Sequence, residues 1–257
     1  MSISKRLAAA AIAGLLLVPG YGTLAQHENH DSAKAAAVQQ GAMNALTEEE
    51  KQAGWKLLFD GKTLDGWRNY RSKSIGSGWK VVDGAMTRVG KGAGDIVTAD
   101  QYDSFELVLE YKIAKGGNSG LMFHVSEDEG APFLTGPEIQ IQDNVDWHDP
   151  ELSGWLYQLH KPGNDPKTGK PIDATKPAGQ WNQLRVIITP KQCATFMNGV
   201  KYYEYVKGGE DWDARVAKSK FAQWKKFGKN TKGYIDLQDH GAEVAFRNIK
   251  IRVLPNE

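Results

Sequence analysis

Alternation of apolar and polar positions, which is typical of β-strands, recurs along the chain from residue 55 onwards. In one such segment, Ile139 and Ile141 point to one side of an extended strand while Glu138, Gln140 and Gln142 point to the other. The apolar side can anchor a core. The carboxylate and the two amides form a polar side that can bond to many hydroxyl groups. This strand therefore predicts a binding face for a sugar-like ligand.

Further strands and turns follow the same reasoning. The clearest alternation covers residues 105–113, and a second strand at 121–125 places His124 on its more polar side. Asp83-Gly84 and Asn198-Gly199 are dipeptides favoured in two-residue hairpin turns. With a short strand at 155–159, the chain holds roughly a dozen strands, a number typical of sandwiches and jelly rolls.

Helical signals are few and peripheral to the strands. Thr47 and Glu50 match a capping box, which predicts a short helix ending by Gly54. Apolar residues at loosely helical spacing predict a second helix between Asp211 and Trp224, with its lysines on a solvated face. We therefore predict an all-β fold, a jelly-roll sandwich of two antiparallel sheets with short peripheral helices.

Three regions follow from the distribution of residue types. Residues 1–25 have a basic start, an apolar run of about a dozen residues and a small-residue end, which is typical of a secretory signal peptide. Residues 26–46 are rich in Ala, Gln and small polar residues and predict a flexible linker. Residues 47–257 predict one domain, in which the Gly- and Pro-rich segment 160–180 is a binding loop or, alternatively, a disordered one.

The leader also predicts the location of the protein. Its apolar run is shorter than the ~20 residues of a membrane span. No cysteine follows it to carry a lipid, since the single cysteine of the chain is Cys193. We therefore expect a periplasmic or secreted protein with no membrane span and no internal disulfide.

Composition narrows the class of partner. The 257 residues carry 32 Lys and Arg against 31 Asp and Glu, so a net charge of +1 gives no general attraction to nucleic acid or anionic membranes. Eight Trp, nine Tyr and 28 Gly suit a β architecture with an aromatic-lined cleft. The expected partner is an oligosaccharide or glycoside, and the oligomeric state stays open.

Several motifs occur in a characteristic order. They are Leu58-Phe59-Asp60-Gly61-Lys62-Thr63-Leu64-Asp65-Gly66-Trp67, Gly117-Asn118-Ser119-Gly120, Gly136-Pro137-Glu138 through Asp143-Asn144, Gly179-Gln180-Trp181-Asn182, Leu237-Gln238-Asp239-His240-Gly241 and Phe246-Arg247-Asn248-Ile249. Over about residues 55–254 the chain thereby resembles the 3-keto-disaccharide hydrolase domain family. The resemblance implies a concanavalin A-like jelly roll that acts on glycosides oxidised to a ketone at C3.

Such a substrate sets the chemistry that the site must perform. The C3 ketone acidifies the C2 hydrogen, so a side-chain base can remove it and an acid can assist the C1 leaving group. Addition of water completes a net hydrolysis, whereas stopping earlier gives a lyase. The site needs one base, one acid and donors near the C3 oxygen, where negative charge develops.

Candidate residues lie in or beside these motifs. The catalytic candidates are Glu138, His124 and His240, although Glu138 could only bind hydroxyls and the two histidines could be structural. The predicted substrate-binding residues are Glu106, Asn118, Gln140, Gln142, Asp143, Trp147, Trp155, Tyr157, Trp181 and Gln238. Two positions depart from the usual residues of the family: His124 stands in place of an Arg, and Asp236 in place of a small or apolar residue.

Alternatives remain open from the sequence. No cofactor is required, but Asp143, Glu138, His124, His240 and Asp236 could assemble a divalent metal site. The fold could serve as a non-catalytic carbohydrate-binding module. It could also be an ordinary glycosidase with two carboxylates ~5–9.5 Å apart. The sequence names no sugar, linkage or aglycone.

Overall fold

Two antiparallel sheets stack over a shared core in residues 42–256, the part of the chain that this computed structural model describes. The larger sheet contains β1 (Trp55–Leu57), β3 (Trp79–Val82), β4 (Ala85–Arg88), β6 (Phe105–Ile113), β9 (Asn182–Ile188), β10 (Cys193–Met197), β11 (Val200–Tyr205) and β13 (Val244–Val253). Its order is β11-β10-β9-β6-β13-β4-β3, and β1 also pairs with β13.

The smaller sheet covers the other side of the core. It contains β2 (Trp67–Asn69), β5 (Ile96–Thr98), β7 (Asn118–Val125), β8 (Glu138–Gln142) and β12 (Tyr234–Leu237). The order is β2-β5-β12-β7-β8, so residues distant in sequence become neighbours across the sheet. The predicted all-β sandwich of two antiparallel sheets with short peripheral helices is confirmed.

The core forms where the apolar sides of the two sheets meet. Leu107 and Leu109 of β6 are buried in the same cluster as Leu121 of β7 and Ile139 and Ile141 of β8. Each fully buried aliphatic side chain contributes about 1.5–3 kcal/mol relative to exposure. Because side chains alternate along a strand, this burial turns the polar residues of β8 away from the core.

Short helices and 3₁₀ turns lie outside the two sheets. Helix α1 (Glu48–Gln52) has the predicted capping box, in which the amide of Glu50 donates to Thr47 Oγ1 at 3.2 Å and the amide of Thr47 donates to Glu50 Oε2 at 3.1 Å. Helix α2 (Glu210–Lys218) confirms the helical prediction, and a 3₁₀ turn, Lys220–Gln223, follows it. Another 3₁₀ turn covers Pro132–Leu134. No helix among residues 42–256 is both long and apolar enough to cross a membrane.

Both predicted hairpin turns have the expected backbone. Asp83 and Gly84 have φ values of 50° and 72°, and Asn198 and Gly199 have values of 48° and 84°. Positive φ at both central residues gives the twist that matches the flanking strands. These dipeptides therefore fix the β3–β4 and β10–β11 hairpins locally.

The boundaries of the other predicted regions are less accurate. Asn44, placed in the linker by composition, exchanges hydrogen bonds with Asn248 at 2.7 and 2.8 Å and so belongs to the folded part. The predicted signal peptide and linker residues 26–41 lie outside the described residues. Residues 155–159, predicted as a strand, form only single bridges through Leu156. Residues 160–180 form turns and one isolated bridge.

A β-bulge interrupts the pairing of β12 with β7. Tyr234 pairs with Val125 and Asp236 pairs with Met122, so three steps along β7 oppose two steps along β12. His124 lies in this bulge with φ of 54°, a left-handed conformation that non-glycine residues seldom adopt. The bulge turns the His124 side chain away from the face of β7 on which Met122 lies. The prediction that His124 lies on the more polar side of this strand is therefore wrong.

Candidate functional site

A groove lies on the face of the smaller sheet that points away from the core. Its floor is formed by Asn118 of β7, Glu138 and Gln140 of β8, and Gln238, which directly follows β12. The cavity measures about 210 Å³. Regular alternation along neighbouring strands brings these polar side chains together.

The opposite wall of the groove comes from segments outside the sheet. It is made by Phe133, Asp149, Tyr157, Lys220, Phe221, Trp224, Phe227 and His240. The rings of Phe221 and Phe227 stack with centroids 3.9 Å apart, so this part of the wall is apolar and closely packed. The groove therefore combines a polar floor with an aromatic wall, an arrangement suited to a sugar ring.

Glu138 occupies a special position on the floor. Its carboxylate lies directly over the backbone of β7, because a Cβ on Gly120 would come within 2.4 Å of Glu138 Oε1. Burial raises the pKa of Glu138 to about 7, with the positive charge of Lys220 opposing the rise and the negative charge of Asp95 adding to it. A carboxylate with a pKa near neutrality can act as a general base or acid.

Two more carboxyl groups lie near Glu138. Asp236 of β12 is fully buried, and neither of its oxygens has a hydrogen-bond partner among residues 42–256. Burial raises its pKa far above the usual range, and the charges of Asp95 and Glu138 add to the effect. Burial also raises the pKa of Asp95 to about 6. Burial therefore favours the neutral, protonated form of the Asp236 carboxyl group.

Several buried amide side chains in or beside the groove floor lack hydrogen-bond partners for their oxygens within residues 42–256. These oxygens are Asn118 Oδ1, Gln140 Oε1, Gln142 Oε1 and Gln238 Oε1. An unpartnered buried polar group costs about 1–3 kcal/mol, so clusters of them are rare in folded proteins. Their concentration along one face indicates a surface that is completed by a hydroxyl-bearing ligand or by water.

Six of the predicted site residues line the groove together: Asn118, Glu138, Gln140, Tyr157, Gln238 and His240. Two others lie beside it. Gln142 Nε2 donates to the carbonyl of Asp149 at 3.2 Å, and the ring of Trp147 packs edge-on against His240 at 5.7 Å. The roles of these residues remain predictions.

Asp143 ends the strand rather than facing the groove. Its Oδ2 accepts from the amide of Gly116 at 2.8 Å, and its Oδ1 accepts from the amide of Val145 at 3.1 Å. The carboxylate thereby stabilises the turns at the ends of β7 and β8.

Glu106, by contrast, faces away from the smaller sheet. Because Leu107 and Leu109 enter the core, Glu106 lies on the outer face of the larger sheet, where it forms ion pairs with Arg185 and Arg252. The structure thus contradicts the predicted placement of Glu106 in the groove.

Two predicted tryptophans also lie away from the groove lining. Arg247, whose Cζ is 4.0 Å from the ring centroid, covers Trp181. Trp155 is buried, and its carbonyl accepts from the amide of Gln140 at 2.9 Å, which helps to hold the segment at residues 154–157 beside β8. These two indoles pack the fold instead of forming the groove.

His124 lies in a different cavity from Glu138. Its Nε2 is 2.8 Å from the carbonyl oxygen of Asp103, and its ring packs edge-on against Phe105 and Phe123. The bulge in β7 explains this position, because one extra residue reverses the side to which the next side chain points.

The structure adds residues that the sequence pattern did not identify. Lys220 Nζ lies 4.1 Å from the ring centroid of Tyr157, whose hydroxyl donates to Asp149 Oδ2 at 2.8 Å. Lys220 is exposed, as predicted for the lysines of this segment, and it also lines the groove. The available signal was the clustering of aromatic residues 221, 224 and 227 within a lysine-rich segment.

The proposed set of metal ligands does not assemble. In the described part of the chain, no group of three or more His, Cys, Asp or Glu side chains could hold a metal ion. His124 lies in another cavity, and the Asp143 oxygens accept from backbone amides.

Comparison with known proteins places the whole arrangement in a family. Residues 54–252 match the 3-keto-alpha-glucoside-1,2-lyase-like domain. A protein of Bacteroides thetaiotaomicron named 3-keto-disaccharide hydrolase is 32% identical over 229 residues, which cover 78% of this chain and 79% of that protein.

Solved structures agree with the family match. A crystal structure of a proposed glycosyl hydrolase from Parabacteroides distasonis is 34% identical, with a TM-score of 0.76, and the match covers 83% of this chain and all of that one. A second such structure from the same organism is 29% identical, with a TM-score of 0.55, covering 78% and 99%. On this evidence of sequence and fold, the chain belongs to the 3-keto-alpha-glucoside-1,2-lyase-like domain family.

Proposed function

We propose that the protein is an exported enzyme that cleaves the glycosidic bond of 3-keto-glycosides, including 3-keto-disaccharides. The observation that carries the proposal is Glu138, a carboxyl group with a pKa of about 7 on the polar floor of the groove. Family membership and the Bacteroides relative named 3-keto-disaccharide hydrolase support the choice of substrate class.

Glu138 supplies the base in this proposal. Its carboxylate takes the proton from C2, and the electron pair of the C2–H bond moves into an enolate whose charge lies on the C3 oxygen. A group with a pKa close to the working pH is present as a base and can also return the proton later. The pKa of Glu138 meets this requirement.

Lys220 stabilises the enolate from the wall of the groove. Its charge already acts on Glu138, and its ammonium group lies over the ring of Tyr157. A cation beside a developing oxyanion stabilises its negative charge and so lowers the barrier to enolate formation.

His240 at the rim donates a proton to the departing C1 oxygen as the C1–O bond breaks. Histidine is the side chain that most often serves as a general acid or base in enzymes. As the C3 oxyanion reverts to a ketone, the electron pair of the enolate forms a double bond between C1 and C2 and the C1–O electron pair leaves with the departing oxygen. Addition of water across the C1–C2 double bond, with the hydroxyl on C1 and the hydrogen on C2, yields the free 3-keto sugar. The unpartnered amide oxygens of the floor accept hydrogen bonds from the substrate hydroxyls.

The decisive experiment compares matched plain and 3-keto disaccharides with the purified protein in deuterated water. We expect cleavage of the 3-keto sugar only, with deuterium at C2 of the product, because the proton on the Glu138 carboxyl group exchanges with the solvent before it is returned to C2. A product incubated without enzyme controls for spontaneous exchange. Cleavage of the plain sugar alone would establish an ordinary glycosidase instead, and binding without turnover would establish a carbohydrate-binding module.

A further inference from the structure

A second cavity, which we call the end cavity, lies where strands of both sheets end. Its wall includes Ser104 just before β6, Thr189 just after β9, Lys207 just after β11, Lys232 just before β12, and His124 near the end of β7. It measures about 460 Å³, more than twice the groove, and shares no lining residue with it. The end cavity is therefore a separate site within the same domain.

Two buried polar side chains of this wall lack partners. Ser104 and His124 are 1% and 4% exposed, and neither Ser104 Oγ nor His124 Nδ1 has a hydrogen-bond partner among residues 42–256. Buried polar side-chain atoms without a hydrogen-bond partner are rare in folded proteins, so these two mark the wall as unusual.

The bonding state of the His124 ring follows from its other nitrogen. His124 Nε2 faces the carbonyl oxygen of Asp103, which can only accept, so Nε2 carries the hydrogen. Burial lowers the pKa of His124 to about 4, and the ring is therefore neutral at pH 7. Nδ1 is then an acceptor that requires a donor such as a hydroxyl group.

Positive charge predominates on the wall. Lys207 Nζ donates to the carbonyls of Gly228 at 2.9 Å and Asn230 at 2.6 Å, which leaves one of its three N–H groups free. In the described part of the chain, neither Lys207 nor Lys232 forms an ion pair within 4.0 Å.

Among residues 42–256, one carboxylate, Asp103, lies on the same wall, and its oxygens already have partners. They accept from the amide of Ser104 at 2.7 Å and from Asn256 Nδ2 at 2.8 Å. The two lysines outnumber this carboxylate, so the wall favours an anionic group.

The backbone holds His124 in this position at a conformational cost. Its φ of 54° is maintained by the Asn230 side chain, which donates to the His124 carbonyl at 3.1 Å. Gly233 packs so closely that a Cβ there would lie 2.4 Å from the carbonyl carbon of His124. Non-glycine residues in such conformations concentrate at binding sites.

We propose that the end cavity binds a small hydroxylated carboxylate, of which a sugar acid is the model. A ligand hydroxyl donates to His124 Nδ1, and the ligand carboxylate accepts from Lys207 and Lys232. This binding site is independent of the catalytic proposal, since no residue of the groove contributes to it.

The experiment titrates the full-chain protein with D-gluconate and, as the neutral counterpart, D-glucose, using calorimetry and backbone NMR. We expect saturable binding of gluconate, with shifted amides around Ser104 and Thr189. Glucose should bind about tenfold more weakly, because it lacks the carboxylate that accepts from Lys207 and Lys232.

Single substitutions test whether gluconate binds in the end cavity. Ser104→Ala and Lys232→Met should each weaken gluconate binding about tenfold, because each removes one polar contact. The exposed Lys218→Met and the groove variant Gln140→Ala should leave it unchanged. The proposal fails if gluconate shows no saturation up to about 50 mM. It also fails if glucose binds as tightly as gluconate, or if Gln140→Ala abolishes binding while Ser104→Ala does not.

Discussion

The groove and the end cavity both contain buried polar side chains, but the chain builds them in different ways. The groove floor consists of Asn118, Glu138 and Gln140 at alternate positions on two adjacent strands. The end cavity collects residues from five strand ends, including His124 at a bulge. A surface made by alternation is visible in the sequence, whereas one made by strand ends depends on how the strands are arranged.

The two regions also differ in charge and in the state of their ionisable groups. Burial raises the pKa of Glu138 to about 7 in the groove, and it lowers the pKa of His124 to about 4 in the end cavity. Both shifts favour the neutral form of the buried group. Only the group in the groove is brought near the pH at which proton transfer is efficient, which is why we place catalysis there.

The largest expected effect is a loss of kcat on substitution in the groove, with no such loss on substitution in the end cavity. Glu138→Gln should reduce kcat on a 3-keto disaccharide by about 10²–10⁴-fold, because the amide cannot accept the C2 proton. Ser104→Ala in the end cavity should leave kcat within about twofold of the wild type. Steady-state kinetics with circular dichroism as a check of folding measures both. Near-normal turnover by Glu138→Gln would reduce Glu138 to a binding residue.

A smaller effect tests the packing of the Glu138 carboxylate. Gly120→Ala places a methyl group where Glu138 Oε1 now lies, so the carboxylate must move. Moving a catalytic group by about 1 Å can reduce kcat/KM by up to about 10²-fold. Gly130→Ala is the matched control, because a Cβ there meets no atom within 4 Å. Equal activity of the two variants would show that the position of the carboxylate is not critical.

The third prediction concerns the dependence of the free energy of unfolding on pH. The pKa of Glu138 is about 7 in the folded protein, above the ordinary 4.5, so the folded state holds this proton more tightly than the unfolded state. Glu138 therefore costs stability as pH rises from 4.5 to 7, and the cost is complete above pH 7. Glu138→Gln should stabilise the protein by about 1–3 kcal/mol at pH 8 and hardly at all at pH 4. Denaturant unfolding at both pH values measures the difference, and an equal effect at both would contradict the raised pKa.

The smallest effect tests Lys220, whose positive charge lowers the pKa of Glu138. Lys220→Met should move the acidic limb of the kcat/KM profile upward by less than about one pH unit, along with a loss of rate. Lys218→Met, in the exposed last turn of α2, is the control and should leave the profile in place. An unshifted profile in the Lys220 variant would remove Lys220 from the proton chemistry.

Local patterns in the sequence determined much of this protein. The alternation around Ile139 and Ile141, the two hairpin dipeptides and the capping box at Thr47 each predicted a feature that the structure contains. Each of these depends on residues close together in the chain, where spacing alone sets geometry. The same local logic placed Glu138, Gln140 and Gln142 on one polar face.

The tertiary structure decided the rest, for two physical reasons. The first is that neighbours within a sheet can be distant in sequence, so the approach of Asp95 to Asp236 left no local signal. The second is that one residue inserted in β7 reverses the side on which the following side chain lies. That single bulge removed His124 from the groove and placed it in a cavity of its own.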